Sequence, residues 1–427
     1  MRRYSRRRKF PQHSLLFFAS SRLRVKNPLF SFPFPLEAVG GDRVGSGQMQ
    51  TSVNLVHCEN YSGVQDAMGR LMAGLGGMDR YVKPGQSVLI KPNLLSDHTP
   101  DEAVTTHPEV VRAVIRLVKA AGASPWVADS PAIIADLRRV WERTGMEAVC
   151  REEDVPLVNL EKAGSRNFEE NGIQFTIAIP VLEADAIITV PKVKTHVLTG
   201  LTGAVKNLYG TVPGLQKTSF HKQYPYPQDF ARLLVAIFRR VRPVLAIADG
   251  VVGMEGNGPS AGAPIELGFL AASADPLALD VVLCRTLGLE PRNIVHLEAV
   301  RQAGLGVVDW SDIAVEGESI GALAPRAYRL PSTVPINYVP HWLVRLVQPL
   351  IWHRPVISAA CVFCGKCVKA CPAGALKMVP RSRPVLDADK CIACCCCHEM
   401  CPEHAITMQP SPFFRFARQF TKGRRTS

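Results

Sequence analysis

No apolar run in the 427-residue chain reaches the roughly 18–20 residues that span a bilayer. The phosphate-loop pattern G-x4-G-K-[ST] is absent, and the glycine-rich run over 200–210 lacks the dinucleotide fingerprint G-x-G-x-x-G. No flavin or nicotinamide motif takes their place. Surplus charge is missing from the body. The formal net charge of +13 divides into +8 over residues 1–48 and +5 over 411–427, leaving 49–410 neutral. A basic nucleic-acid groove is therefore not indicated. A disulfide pattern is lacking too. Of 13 cysteines, Cys58, Cys150, Cys284, Cys395 and Cys396 show no pairing order, which points to a reducing, cytoplasmic compartment.

The other eight cysteines are strictly ordered. Cys361, Cys364, Cys367 and Cys371 follow C-x2-C-x2-C-x3-C-P, and Cys391, Cys394, Cys397 and Cys401 repeat it. Three thiolates two residues apart lie on one tight loop and cap three corners of an iron–sulfur cube. The fourth cysteine of such a run ligates the other cluster. That rule assigns Cys361, Cys364, Cys367 and Cys401 to one 4Fe-4S cluster, and Cys391, Cys394, Cys397 and Cys371 to a second. Zinc knuckles use C-x2-C pairs but need neither the third cysteine nor the C-P ending. Residues 355–410 resemble the bacterial-type two-cluster ferredoxin module. Cys395 and Cys396 are read as spare thiols, with ligand exchange or tuning of one cluster as the alternative.

The chain opens M-R-R-Y-S-R-R-R-K-F, with paired arginines as in an export signal. However, the apolar piece Leu15–Ser20 is short, Arg22, Arg24 and Lys26 break up the next stretch, and no small-residue cleavage site stands where one belongs. The expectation for 1–48 is a disordered basic extension arising from a misassigned start. From Met49, short apolar runs alternate with amphipathic stretches. Helices are expected over Val64–Leu75, His107–Ala121, Ile133–Thr144, Phe230–Arg240 and Pro276–Leu287, a strand over Val155–Leu160, and a hairpin around Asn171-Gly172. This alternation predicts an α/β domain over 49–325, a doubly wound, mostly parallel sheet with helices on both faces. A Pro/aromatic linker over 326–358 comes next, then a small ferredoxin-like α+β domain over 359–410 and a basic tail over 411–427. The linker is expected to pack on the α/β domain. The alternative is a weak peripheral membrane contact, aided by the basic, aromatic end of the chain.

Ligands of open α/β sheets bind beyond the carboxyl ends of strands, and here those ends are polar. They carry Lys91 and Asn93 with Thr105–Pro108, then Asp129 and Ser130. Lys192, Lys194 and His196 come next, then Asp249 and Gly250, then Asp275. Singly, an Asp after a strand is an N-cap or turn residue and a Lys is solvated. Together they form a candidate site. Gly200 and Gly203 before a helix start could present N–H groups to an anion, with Lys206 one turn in. The loop Gly253–Gly262 reads as a hairpin or lid rather than a phosphate cradle. His196 and His221 are candidate acids or bases against the alternative of buried, hydrogen-bonded rings. Lys192, Lys194, Lys206 and Lys222 make the middle of the chain cationic, suiting a carboxylate or phosphate.

The motifs K-P-N (Lys91–Asn93), T-H-P (Thr106–Pro108) and D-S-P (Asp129–Pro131) stand with a longer run, P-K-V-K-T-H-x-x-T-G-L-T-G-A-V-K-N-L-Y-G (Pro191–Gly210). A-D-G-V-V-G-M-E-G-N-G-P (Ala248–Pro259) and A-D-P-L-A-L-D (Ala274–Asp280) complete the set. On these, residues 53–410 resemble the family catalogued as domain of unknown function 362, in its form fused to a two-cluster ferredoxin. The resemblance implies a cytoplasmic iron–sulfur protein of a prokaryote with anaerobic metabolism and implies no settled reaction. The reading is a redox protein whose clusters pass electrons to or from a ligand site in the α/β domain. In its sharp form it reduces a small anionic substrate. Lys194 and Lys206 position that substrate, His196 donates protons, and Asp249 or Asp275 orients the site or binds a metal. The alternatives are an electron carrier docking a redox partner protein without chemistry of its own, and a non-redox enzyme with structural clusters.

Overall fold

Alternation of apolar residues dictates the layers. In a strand, neighbouring side chains face opposite ways. Val88 and Ile90 accordingly join one buried cluster with Ile188, Leu245, Ile247 and Leu270, while Leu89, Ile187, Ala246, Ala248 and Phe269 join another. Each face must be covered. The helix Pro108–Ala120 turns Val110, Val111, Val114, Ile115 and Val118 to the first. The helices Pro227–Val241 and Pro276–Thr286 cover the second. Each such side chain contributes about 1.5–3 kcal/mol on full burial.

The computed structural model describes residues 51–131, 136–307, 309–323, 325, 327–331 and 352–412, apart from the side chains of Leu215 and Thr218. The expected basic extension over 1–48, residues 326 and 332–351 of the expected linker and the basic tail beyond 412 lie outside the described residues. Where the linker is described, Tyr328 donates to the Met254 carbonyl at 2.8 Å and Arg329 pairs with Glu255 at 2.6 Å.

The strands are β1 (Thr51–His57), β2 (Ser87–Pro92), β3 (Ser124–Val127), β4 (Ser165–Glu170), β5 (Ile173–Ala178), β6 (Ala186–Val190), β7 (Lys192–His196), β8 (Gly200–Thr202), β9 (Leu245–Glu255), β10 (Ala263–Ser273) and β11 (Ile313–Gly317). Nine of them form one sheet in the order β11-β1-β10-β9-β6-β2-β3, with β7 beside β9 and β8 beside β7. Pairing is parallel from β9 through β6 and β2 to β3, and antiparallel at β1–β10, β10–β9 and β7–β8. The fold is thus α/β with a mixed, mostly parallel sheet.

Four of the expected helices begin and end close to expectation, with Pro108 in the first turn of its helix and His107 capping it. The helix expected over Ile133–Thr144 is Leu137–Arg143, residues 132–135 lying outside the described residues. The hairpin around Asn171-Gly172 is β4–β5, both turn residues having positive φ. Two expectations fail. Val155–Leu160 is no strand: only Leu157 bridges to Val127, on the free edge of β3, and Pro156 has no N–H to lengthen the ladder. P-K-V-K-T-H is not a loop after a strand but β7 itself, fully buried. The run Gly253–Gly262 closes the β9–β10 hairpin.

The cysteine-rich module has two small antiparallel pairs. β12 (His353–Ile357) meets β15 (Ile406–Pro410), and β13 (Leu376–Val379) meets β14 (Ser382–Leu386). One-turn helices succeed the cysteine loops at Lys366–Lys369 and Cys396–Glu399. The module packs on the α/β body. His398 Nδ1 lies 2.6 Å from the Ile406 carbonyl and Nε2 lies 2.9 Å from the Asn257 carbonyl in the β9–β10 turn. From the same turn, Ser260 donates to the Glu399 carbonyl at 3.0 Å. Val197, Cys395 and Met408 form an apolar contact across the seam.

Candidate functional site

The sheet buries lysines where the pattern of apolar strands would place leucines. Lys91, Lys192 and Lys194 are among the largest fully buried side chains, and a buried ammonium is costly unless paired. Two are paired. Lys91 Nζ lies 2.8 Å from Asp129 Oδ1 and donates to Asn207 Oδ1 at 3.2 Å. Asp129 in turn accepts from the Leu94 N–H at 2.6 Å. Gly210 is required here by close approach, since a Cβ would sit 1.8 Å from Asp129 Oδ1 and 2.6 Å from Lys91 Nζ. Lys192 Nζ lies 3.0 Å from Asp249 Oδ2 and donates to Tyr61 Oη at 2.7 Å. Tyr61 stacks on His107 at 3.5 Å between ring centroids. Lys194 instead donates to the Val104 carbonyl. Burial, then Lys206 nearby, drives its pKa well below that of a free lysine.

Beside the Lys91–Asp129 pair is a cavity of about 90 Å³, the liquid volume of about three waters at roughly 30 Å³ each. Its body wall includes Ser130, Lys206, Tyr209, Lys217 and His221, and its other wall is Ala370, Cys396, Glu399 and Met400 of the cysteine module. Burial lowers the pKa of Lys206 and of Lys217 to about 8, which leaves both cationic at neutral pH. Lys217 donates to the Ser130 carbonyl. Lys206 Nζ has no hydrogen-bond or ion-pair partner among the described residues. Six buried polar atoms of lining residues have no hydrogen-bond partner there: the carboxylate oxygens Asp129 Oδ1 and Glu399 Oε1, which lie 2.8 Å from Lys91 Nζ and 3.5 Å from His196 Nε2, and the four neutral atoms Asn93 Oδ1, Ser130 Oγ, Thr202 Oγ1 and His221 Nδ1. A buried polar group left unpaired costs about 1–3 kcal/mol, and four at one cavity mark a site built to be filled. A larger groove of about 520 Å³ beside Arg285, Arg292 and Trp310 is a surface feature lined by exposed ion pairs and holds none of the strand-end residues.

Of the predicted site residues, Lys206, His221, Asn93, Asp129 and Ser130 line the cavity, and Lys91 stands behind Asp129. His196 does not reach it. Its Nδ1 accepts from the N–H groups of Leu198 and Thr199, so the ring proton sits on Nε2, 3.5 Å from Glu399 Oε1. Burial, then Lys206, hold this ring well below the usual imidazole range. It is a neutral ring that orients Glu399 rather than an imidazolium proton donor. Asp249 is spent on Lys192, Tyr61 and the His107 N–H and does not line the cavity. Asp275 is the N-cap of Pro276–Thr286, accepting from Leu277 and Ala278. The helix start after Gly203 is closed to ligands, because Asp280 accepts from the Ala204 and Val205 N–H groups at 2.6 and 3.0 Å. Burial pushes that carboxyl up to about 7. Lys222 is exposed.

Sequence reasoning missed Lys217, Glu399 and Tyr61. For Lys217 a signal existed. It stands four residues before His221 in the helix Gly214–Gln223, so both face one way. Glu399 had none, since its place depends on the docking of the module.

The patterned cysteines lie close enough for their charges to raise one another's thiol pKa. Burial, then Cys401, Cys364 and Cys361, push Cys367 up to about 11. Burial, then Cys394, Cys391, Cys371 and finally Cys367, hold Cys397 well above a free thiol. Burial raises Cys391 also, with Cys394 and Cys371 adding to it. The Ala375 and Ala405 N–H groups donate to the sulfurs of Cys371 and Cys401, each at 3.2 Å. Crowded sulfurs with N–H donors aimed at the fourth cysteine fit cubic clusters, whose positive iron relieves the thiolate repulsion.

An α/β body joined to a cysteine module of this geometry defines an iron–sulfur protein. A 4Fe-4S binding domain model matches residues 355–377, which makes the module an iron–sulfur electron carrier. The model described as domain of unknown function (DUF362) matches residues 88–285. The chain is 37% identical over 260 residues to the thylakoid-associated protein sll1697 of Synechocystis sp., across 60% of this chain and 81% of that protein. The chain belongs to the domain of unknown function 362 family. Among solved structures, the lactate racemase apoprotein from Thermoanaerobacterium thermosaccharolyticum overlaps at a TM-score of 0.38 and 13% identity, over 57% of this chain and 58% of that one. No helix among the described residues is long and apolar enough to cross a membrane.

Proposed function

We propose that this chain is an iron–sulfur oxidoreductase that exchanges electrons with a small anion held in the seam cavity. The cavity carries the reading, because cationic side chains of the body face a wall formed by Ala370, Cys396, Glu399 and Met400, which adjoin Cys371, Cys397 and Cys401. Two 4Fe-4S clusters would be held by Cys361, Cys364, Cys367 and Cys401 and by Cys391, Cys394, Cys397 and Cys371, and they would supply one-electron chemistry at roughly −700 to +450 mV. Lys206 and Lys217 bind the anion through charge-assisted hydrogen bonds. Ser130, Thr202 and His221 complete its hydrogen bonding. The Lys91–Asp129 pair fixes the floor, and the buried rings of Tyr209 and His221 exclude water. Both cavity lysines hold a proton that can pass to the substrate as electrons arrive from an external low-potential donor. The exposed first cysteine loop, with Val362 and Phe363 at the surface beside Cys364, is where that redox partner docks. The buried free thiols of Cys58, Cys150 and Cys284 favour a reducing, cytoplasmic compartment.

The test uses the anaerobic, iron-loaded full chain titrated with formate, acetate and inorganic phosphate. At least one should bind and alter the EPR spectrum of the reduced protein, and Lys217→Met should remove both effects at unchanged iron content. If none binds, or if binding leaves the spectrum untouched in every case, the site is not electronically coupled and the carrier reading without chemistry stands instead.

A further inference from the structure

A second cluster of ligating side chains bridges the same seam, apart from the cysteines and the cavity. His98 lies in the loop after β2, its Nδ1 2.8 Å from Glu102 Oε1. The other oxygen of Glu102 accepts from the Thr99 N–H at 2.7 Å, closing a capping box on the short turn Pro100–Glu102. His404 arrives from the cysteine module, with its ring 5.7 Å from that of His98 at an interplanar angle of 18°. One ligand atom from each of the three lies within 4.8 Å of the others.

The capping box accounts for Glu102 and its pair with His98. It does not account for His404. That residue has φ +48°, a left-handed conformation that strains a residue with a Cβ, and the matching position of the first cysteine run is Gly374 at φ +60°. A histidine has thus replaced the favoured glycine only in the half that meets the body, where it faces an imidazole and a carboxylate. Its nitrogens have no hydrogen-bond partner among the described residues. An imidazole without a hydrogen-bond partner is of the kind that ligates metals. Two imidazoles and one carboxylate are borderline donors suited to zinc and its neighbours, with an open position for water.

We propose that His98, Glu102 and His404 bind one divalent transition-metal ion of the zinc class, which ties the cysteine module to the α/β body. The exposed His404 ring closes on the other two ligands by side-chain rotation, and Glu102 keeps its second oxygen on Thr99, which orients it. The role is structural, so it stands whether or not the cavity binds a substrate.

The experiment takes the full chain with its iron clusters intact, anaerobically, and measures zinc uptake by equilibrium dialysis, with zinc K-edge absorption to identify the ligand atoms. One zinc ion with nitrogen and oxygen ligands is expected in addition to the iron. His404→Gly, which installs the residue the twin turn already uses, should weaken binding by at least roughly tenfold at unchanged iron content, and His98→Gln should do the same. No zinc beyond displaced iron, sulfur-only coordination, or a His404→Gly protein with wild-type affinity would each overturn the assignment.

Discussion

The two cysteine runs share a backbone and differ in nearly every residue that is not a cysteine or a proline. Phe363 and Ala393 take the same positive φ, as do Gly365 and Cys395. The first run is turned outward. Cys364 is exposed, Val362 and Phe363 are 56% and 49% exposed, and Lys369 points to solvent. The second run is turned inward. Cys394 through Cys397 and His398 are buried, and the counterparts of Lys366, Val368 and Lys369 are Cys396, His398 and Glu399, all at the seam. A duplicated scaffold has thus been given one face for the surroundings and one for the body. The difference in side chains, not in backbone, tells which is which.

The largest effect that tests this comparison comes from the crossed cysteines. Cys371→Ala, a change in the first run, should cost about half the iron and remove the EPR signal that Cys391→Ala also removes, while Cys401→Ala should pair with Cys361→Ala. Loss in sequence order would mean that each run is self-contained. Next is Lys217→Met, expected to weaken anion binding roughly 10- to 100-fold, the loss of one charge-assisted hydrogen bond of about 1.5–3 kcal/mol. Lys369→Met on the outward run should leave binding unchanged, and equal effects from both would erase the distinction. A smaller effect is set by pH. Lys206 and Lys217 hold their protons below about 8, so anion affinity should be full at pH 6–7 and fall as pH rises through 8. Affinity that rises with pH would mean that neutral amines do the binding. The smallest is Cys395→Gly, which gives the inward run the glycine of the outward one. Relief of left-handed strain and loss of the Val197 and Met408 contact are each worth about 1 kcal/mol, so Tm should move little and iron not at all. Iron loss would make Cys395 a ligand.

Much of this was legible from local pattern. Eight cysteines at fixed spacing declare their chemistry without a fold, and strands whose apolar residues serve two faces declare a covered sheet. Polar strand ends pointed to the right edge of that sheet, since Lys91, Asp129 and Ser130 do meet there. What local pattern could not carry was pairing at a distance. Asp249 and Lys206 look alike as candidates, yet one is neutralised by Lys192 and the other is left free. The glycines before Ala204 looked open to a phosphate until Asp280, from a helix more than seventy residues on, filled the position. Glu399 and Cys396 join the cavity only through tertiary docking, which no periodicity encodes.

The seam cavity is closed by two parts with different needs. Its cationic wall is built on the α/β body, and its opposite wall of Ala370, Cys396, Glu399 and Met400 belongs to the cysteine module. Folding of small cysteine modules is bound up with their metal. On the function proposed above, a chain without iron would lack the wall that closes the chamber around its lysines, so loading the cofactor and completing the binding site would be linked.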